Sequence, residues 1–232
     1  MLCTVLLLTP LPVEAILVGG LHVDDPAAGA TIEAPTLIRQ LSPLLIVGTP
    51  RTTEWLLDRP EIAASMARRL YPPLEPYQVT PTADGRFEVS DRESLRGTFR
   101  LVARGKDRRL YLCEGQFRSA EQFFQLGGRL ALLVEYRERP ARAGEPRLEV
   151  APTLFVRLEN VLAHGVFKLF SPLLSRLIDR RAANLAAATK ILSRRITADP
   201  AGLFEEMRTW LNLRPSELEA YRLAFLPGAA SP

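Results

Sequence analysis

The stretch HGVFKLFSPLLSRLIDRRAANLAAATKILSRRI, residues 164–196, combines a long apolar stripe with many basic side chains. Its leucines and isoleucines recur at the three- and four-residue spacing of one helix face, and its basic residues lie largely off that face. Ser171 followed by Pro172 is typical of a helix start, because serine caps the helix and proline tolerates its first position. The sequence therefore predicts helices over 157–170 and 172–197 that meet at an angle, or one kinked helix.

Before this stretch the apolar residues follow a period of two, which is typical of strands. In LRGTFRLVAR, for example, Leu95, Gly97, Phe99 and Leu101 fall on one face. The predicted strands cover residues 77–81, 86–91, 95–104, 108–117, 129–139 and 147–158. Short turns separate them, so we expect an antiparallel sheet, because parallel strands would need helical crossovers.

The first part of the chain predicts one strand at 44–47 and two short helices within 51–70, which meet near Asp58 because Pro60 interrupts the segment. Residues 1–39 are expected to form an irregular lead-in. The main α+β domain is expected to cover 40–198, and 199–232 to form a helical extension and a tail.

This order of elements resembles that of the START-like (SRPBCC-type, helix-grip) superfamily, in which a curved antiparallel sheet packs around a long C-terminal helix. The resemblance covers roughly residues 40–198 and rests on element order, without a sequence motif. It implies a cavity between sheet and helix that holds a lipid-like or other apolar molecule. The proline at position 172 and the helices after residue 199 depart from the family pattern.

If the resemblance holds, inward-facing side chains of the strands and of the long helix would line the cavity. The candidates are Phe99, Leu101, Leu132, Val134, Tyr136, Leu154, Val156, Leu162, Val166 and Phe170. Apolar residues at such spacing also occur in solid cores. The alternative is therefore that these side chains fill the core and leave no room for a ligand.

Two glutamates, Glu114 and Glu135, lie among apolar residues of predicted strands. Burial would raise the pKa of such a carboxyl group and make it an acid or base. The START-like cyclases and dehydratases use isolated polar residues in this way, and Tyr111, Tyr136 and His164 could assist. The alternative is that both glutamates face outward and pair with Arg118, Arg129 or Arg137. Cys113 is interpreted as an inert buried thiol rather than a nucleophile.

Several classes of function have no support in the sequence. The chain has only two histidines and two cysteines, with no metal-binding spacing, and it contains no nucleotide-binding glycine motif. No cofactor or metal is therefore predicted. The net charge is +4, but the basic residues lack interleaved aromatic side chains, so nucleic-acid binding is not indicated.

The basic side of the long helix predicts contact with an anionic membrane surface as an alternative to plain solvation. The residues assigned to it are Phe167, Lys168, Arg176, Arg180 and Arg181. Residues 1–15 resemble the later part of a secretory signal peptide, although no basic residue precedes their apolar run. The protein is expected in the cytoplasm or, if 1–15 are cleaved, in an exported or periplasmic location.

We therefore expect first a non-enzymatic protein that binds a lipid-like or other apolar molecule, with transient membrane contact. The second interpretation is a cyclase- or dehydratase-type enzyme on the same fold. The third is an interaction or structural protein with a solid core.

Overall fold

A curved antiparallel sheet lies against a long helix, α4, in the computed structural model, which describes residues 16–92, 94–118, 125–159, 164–211 and 213–226. The strands are β1 Ile16–Val18, β2 Leu21–Val23, β3 Leu37–Gln40, β4 Leu44–Val47, β5 Gln78–Pro81, β6 Phe87–Ser90, β7 Leu95–Arg104, β8 Arg108–Arg118, β9 Gln125–Arg142 and β10 Glu145–Leu158. The helices are α1 Pro26–Glu33, α2 Pro50–Asp58, α3 Pro60–Leu70, α4 His164–Ala198, α5 Pro200–Met207 and α6 Pro215–Phe225. This is a helix-grip-like α+β fold with extra helices, as predicted.

The main sheet has the order β3-β10-β9-β8-β7-β6-β5, and β4 pairs with the same edge of β10 as β3 does. Strands β5 to β10 are consecutive neighbours in an antiparallel meander. Strand β3 pairs with residues 153–156 of β10, and β4 pairs with residues 147–150. Strands β3 and β4, which come first along the chain in the main sheet, therefore pair with its last strand, β10.

The five short helices α1, α2, α3, α5 and α6 each begin at a proline, where the missing N–H has no helical partner to lose. The side chains of Asp25, Thr49 and Asp199 accept backbone hydrogen bonds as caps of α1, α2 and α5. The predicted break at Pro60 between two helices is confirmed.

The long helix differs from the prediction at its start. Residues 157–158 belong to β10, where Arg157 pairs with Arg129 and Leu158 with Gly128, so no helix begins at residue 157. From His164 onward α4 is assigned as one helix of 35 residues that includes Pro172. A proline inside a helix removes one hydrogen bond, and the other turns of so long a helix keep theirs.

Three glycines form a row across neighbouring strands. Gly97 of β7 pairs with Gly115 of β8, which pairs with Gly128 of β9. A Cβ atom would come within 2.5 Å of the Glu114 carbonyl oxygen at Gly97, and within 2.5 Å of the Arg157 carbonyl oxygen at Gly128. Only glycine fits such a close approach of neighbouring backbones, and glycines at matched positions are a means by which sheets bend.

The N-terminal elements cover the outer face of the sheet, the one turned away from α4. Residues of the β1–β2 hairpin and α1 pack against outer-face side chains of β8 and β9, which are almost fully buried. These are Leu110 at 0% exposure, Leu112 at 1%, Ala131 at 0% and Leu133 at 4%. The lead-in was predicted to be irregular. Its described residues instead include the β1–β2 hairpin and α1, which pack on a core beneath them.

A second core joins the helices at the other end of the molecule. Trp55 of α2 and Met66 of α3 pack with Leu192 and Ile196 from the end of α4. Met207, Trp210 and Tyr221 close the same cluster from the C-terminal segment. Within the described residues, no helix is long and apolar enough to cross a membrane.

Candidate functional site

The inner face of the sheet, turned toward α4, carries all seven strand residues predicted to line a cavity. Leu101 pairs with Tyr111, Tyr111 with Leu132 and Leu132 with Leu154, so the four side chains form a row on one face. Phe99 and Val156 lie two residues along their strands and share that face, as do Val134 and Tyr136 of β9. Sequence alternation alone predicted this grouping.

Two ion pairs hold α4 against opposite sides of this face. The Arg39 guanidinium, on edge strand β3, donates to both Asp179 carboxylate oxygens at 2.8 and 2.7 Å. The Arg181 guanidinium donates to Asp91 at 2.6 Å and to the Ser94 hydroxyl at 2.7 Å, between β6 and β7. Arg181 also lies 5.9 Å from the centre of the Tyr77 ring. The middle of α4 is thus fixed across the curved sheet.

Several inner-face side chains remain partly accessible although they lie on interior strands. Phe99 and Leu101 on β7, Cys113 on β8, and Leu130 and Leu132 on β9 are all half-buried. Their outer-face neighbours on β8 and β9 are at most 4% exposed. An apolar side chain in the middle of a sheet stays accessible only where the covering layer does not fill the space above it. Over these residues the inner face is therefore less tightly covered than the outer face beneath the β1–β2 hairpin and α1. The other predicted inner-face residues, Val134, Tyr136, Leu154 and Val156, are at most 8% exposed.

Leu185 of α4 is a further apolar side chain that is not covered, although it lies on the buried face of the helix. It precedes Ala188, Leu192 and Ile196 by three, seven and eleven residues, so it shares their helix face. Those three residues are each 3% exposed, whereas Leu185 is 54% exposed. Leu185 lies one turn after Arg181 and about one turn before the buried Ala188. We define the half-buried inner-face residues Phe99, Leu101, Cys113, Leu130 and Leu132 as the concave site.

Cys113 gives the concave site its one described thiol, which is not in a disulfide. The residue is partly accessible, but its thiol is surrounded by protein. Burial raises the pKa of Cys113 to about 12, because the thiolate would lose its hydration. Burial thus favours the neutral form of the thiol, and its lack of reactivity stays a prediction.

A buried polar network closes the end of the inner face beneath α2. The Arg109 side chain is 4% exposed and donates to Asp58 Oδ1 at 2.9 Å and to the Tyr136 hydroxyl at 3.0 Å. The Tyr136 hydroxyl donates to Glu54 at 2.9 Å, and the Tyr111 hydroxyl donates to the Leu57 carbonyl oxygen at 2.7 Å. Each of these groups has a protein partner, so the network ties α2 to the sheet.

The protonation states in this network follow from burial. Burial raises the pKa of Tyr136, and the hydrogen bond to Glu54 raises it further. Burial also raises the pKa of Tyr111, with a contribution from the Asp58 charge. Burial opposes the charge of Arg109, but the hydrogen bond and the charges of its neighbours outweigh that effect, and its pKa lies above the usual value. Both tyrosines are therefore neutral hydrogen-bond donors rather than bases.

The two glutamates considered for catalysis lie on the outer face, away from the concave site. Arg129 donates to Glu114 at 3.0 Å, and Arg86 lies 3.8 Å from its other oxygen. Glu135 lies 3.7 Å from Arg108. Glu114 thus has one of its expected partners, while Glu135 has an arginine that the sequence did not indicate. Neither carboxylate is placed to act on a molecule in the concave site.

The helix residues among the candidates have different outcomes. Leu162 lies outside the described residues, and so do residues 1–15, so the signal-peptide prediction stays a prediction. Val166, Phe167, Lys168 and Phe170 lie in α4, but their side chains are outside the described part. Arg176 and Arg180 are exposed, as membrane contact requires. The Arg181 guanidinium donates to Asp91 and Ser94, and membrane contact by this residue stays a prediction.

A shallow depression of about 460 Å³ lies elsewhere, between α2 and α6. Trp55, Arg59, Ala220 and Leu223 are among its lining residues, and the Arg59 guanidinium lies 5.5 Å from the Trp55 ring centre. None of the predicted cavity residues lines it. Within the described ranges, no group of His, Cys, Asp and Glu is placed to hold a metal ion.

The glycine row and the Arg39–Asp179 pair were not identified from the sequence. The three glycines are separated by many residues, and only the strand register brings them side by side. The one sequence signal for the glycine row was Gly97, which lies on the same alternating strand face as Phe99.

Comparisons with known proteins give structural similarity at low sequence identity. No family model matches the chain, and no curated protein matches it. Among solved structures, Ara h 8.0201 is 12% identical with a TM-score of 0.38, over 68% of this chain and 99% of that one. The protein TTHA0849 from Thermus thermophilus is 11% identical with a TM-score of 0.33, over 67% of this chain and 97% of that one.

Proposed function

We propose that the protein binds a lipid-like or other apolar small molecule in the concave site, without catalysing a reaction. The observation that carries the proposal is the contrast between the two faces of one sheet. Beneath the β1–β2 hairpin and α1, outer-face residues of β8 and β9 are at most 4% exposed, while Phe99, Leu101, Leu130 and Leu132 of the inner face remain partly accessible. Exposed apolar surface that is enclosed by a fold is typical of ligand sites.

The chemistry of the concave site favours an apolar ligand. Its described side chains are aromatic or aliphatic, with one neutral thiol. The polar groups of the adjoining network already have protein partners, so a ligand would gain no hydrogen bond there without breaking an existing one. Binding would rest on removal of apolar surface from water, which contributes roughly 25 cal/mol per Å².

The first test is native mass spectrometry of the purified protein, followed by organic extraction and analysis of the extract. We expect an apolar molecule at near-stoichiometric occupancy, released by the extraction. In parallel, the apo protein is titrated with a fluorescent fatty-acid analogue. No co-purified molecule together with no uptake of the probe would overturn the proposal and favour a solid-core interaction protein.

A pair of tryptophan variants localises the binding. Leu132→Trp places extra volume in the concave site, and we expect it to reduce probe binding at least tenfold. Leu45→Trp is the matched control, because Leu45 is 45% exposed on the outer side of edge strand β4. Equal loss in both variants, with both folded by circular dichroism, would place the binding elsewhere.

A further inference from the structure

The outward side of α4 carries a row of basic side chains separate from the concave site. Arg176, Arg180, Lys190 and Arg194 are all exposed, and Ile191 beside them is 37% exposed. With 3.6 residues per turn, the five residues fall within an arc of about 100° on the helix. The buried residues Leu192 and Ile196 lie on the opposite side.

These charges are not balanced by neighbouring acids. None of the four basic side chains has an ion-pair partner within the described residues, whereas Asp179 is paired with Arg39. The sequence contains no acidic residue between Arg180 and Asp199. The arc is completed by Ala183, Ala187 and Ala198, whose short side chains do not project past the basic ones. An uncompensated positive strip about 27 Å long therefore runs along one side of α4.

We propose that this basic strip, defined as Arg176, Arg180, Lys190, Ile191 and Arg194, docks the protein on an anionic lipid surface. A row of cations on one side of a helix fits a flat anionic surface, since the charges face the headgroups together. Each basic residue near such a surface contributes to binding, and the long, flexible arginine and lysine side chains can extend toward the headgroups. The exposed Ile191 adds an apolar contact. The strip has no aromatic side chain on which nucleic-acid bases could stack.

The proposal does not depend on a ligand in the concave site. It does concern the same helix, because α4 covers that site and is held by the Arg39–Asp179 and Arg181–Asp91 pairs. Docking on a lipid surface would therefore act directly on α4, the helix that covers the concave site.

The test is co-sedimentation with vesicles of phosphatidylcholine alone and of phosphatidylcholine with phosphatidylserine. We expect binding to the anionic vesicles only, and its loss at high salt. The variant Arg176→Gln/Arg194→Gln is expected to lower the partition coefficient roughly thirtyfold. The matched control is Arg96→Gln/Arg118→Gln, which removes the same charge from two exposed outer-face positions and should change binding little.

Three outcomes would overturn the proposal. The first is equal binding to both kinds of vesicle, and the second is equal loss in the variant and its control. The third is absence of vesicle binding together with variant-sensitive binding of a duplex oligonucleotide, which would assign the strip to nucleic acid. Because phosphatidylserine could also enter the concave site, Leu132→Trp is included. We expect it to bind vesicles normally, which separates docking from ligand uptake.

Discussion

Asp179 and Arg181, two residues apart on α4, form ion pairs with opposite sides of the same sheet. Arg39 on edge strand β3 holds Asp179, and Asp91 after β6 holds Arg181. Four strands, β10, β9, β8 and β7, lie between β3 and β6 in the order of the sheet, so a helix can reach both contacts only if the sheet curves around it. The two pairs are therefore direct consequences of the curvature.

The two pairs are expected to differ in their contribution to stability. The side chain of Asp91 is 8% exposed, so Arg181→Met removes a cation from a buried carboxylate and should lower the free energy of unfolding by about 2 kcal/mol. Arg39 and Asp179 are 39% and 50% exposed, and Arg39→Met should cost less than about 1 kcal/mol. Urea denaturation of both variants measures the difference. Equal effects would contradict this ranking.

The glycine row predicts a sharp difference between adjacent positions. Gly128→Ala would bring its Cβ to 2.5 Å from the Arg157 carbonyl oxygen, and we expect a loss of roughly 2–3 kcal/mol in stability. At Gly127 the nearest atom to an added Cβ is Glu159 Oε2, at 3.7 Å, so Gly127→Ala should change stability little. Thermal unfolding of the two variants compares them. A tolerated Gly128→Ala would show that the backbones are not in such close contact.

The buried network predicts different costs for two arginines that contact the same carboxylate. Arg109→Met removes a 4% exposed cation and leaves Asp58, an 18% exposed carboxylate, poorly paired. We expect a loss of about 3 kcal/mol in stability. Arg104 lies 3.1 Å from Asp58 but is 56% exposed, and Arg104→Met should cost less than about 1 kcal/mol. Chemical denaturation provides the measurement, and similar losses would argue against the burial-based account.

The raised pKa of Cys113 predicts how its reactivity depends on pH. In a Cys3→Ser background, alkylation of Cys113 at pH 8 should be roughly a thousandfold slower than for a free thiol, because only the thiolate reacts. With a pKa of about 12, the rate should continue to rise tenfold per pH unit up to about pH 11. A free thiol would level off near its own pKa.

The control for this prediction is the same variant in denaturant, where Cys113 should react as an ordinary thiol. A plateau near pH 9 in the folded protein would contradict the burial of the thiol. A bound apolar ligand should slow the reaction further, since Cys113 belongs to the concave site.

Patterns that lie within one segment predicted the structure well. The alternation of Phe99 and Leu101, and of Leu132, Val134 and Tyr136, placed all of these residues on the inner face, because a strand allows only two faces. Pro60 separated α2 from α3 as expected, because a proline has no N–H to continue a helix.

Features that depend on distant pairing were missed. The burial of the outer face by the β1–β2 hairpin and α1 depends on contacts with strands β8 and β9, and local sequence does not encode these contacts. Arg181 had the pattern of a solvated basic residue, and its role became visible only when Asp91 and Ser94 were in place. Whether the concave site binds a ligand also depends on space between elements, which residue types alone do not determine.

The pairing of β3 and β4 with β10 sets a condition on how the chain can fold. Gln40 pairs with Thr153 and Leu44 with Val150, so the sheet cannot close until β10 has been synthesised. Such long-range pairing is slow to form, because a large loop must close before the stabilising contacts between the strands can form. During synthesis, the apolar inner face of the emerging strands has neither its closing edge nor its helix. A nascent chain stalled before β10 should therefore depend on chaperones far more than one released after α4.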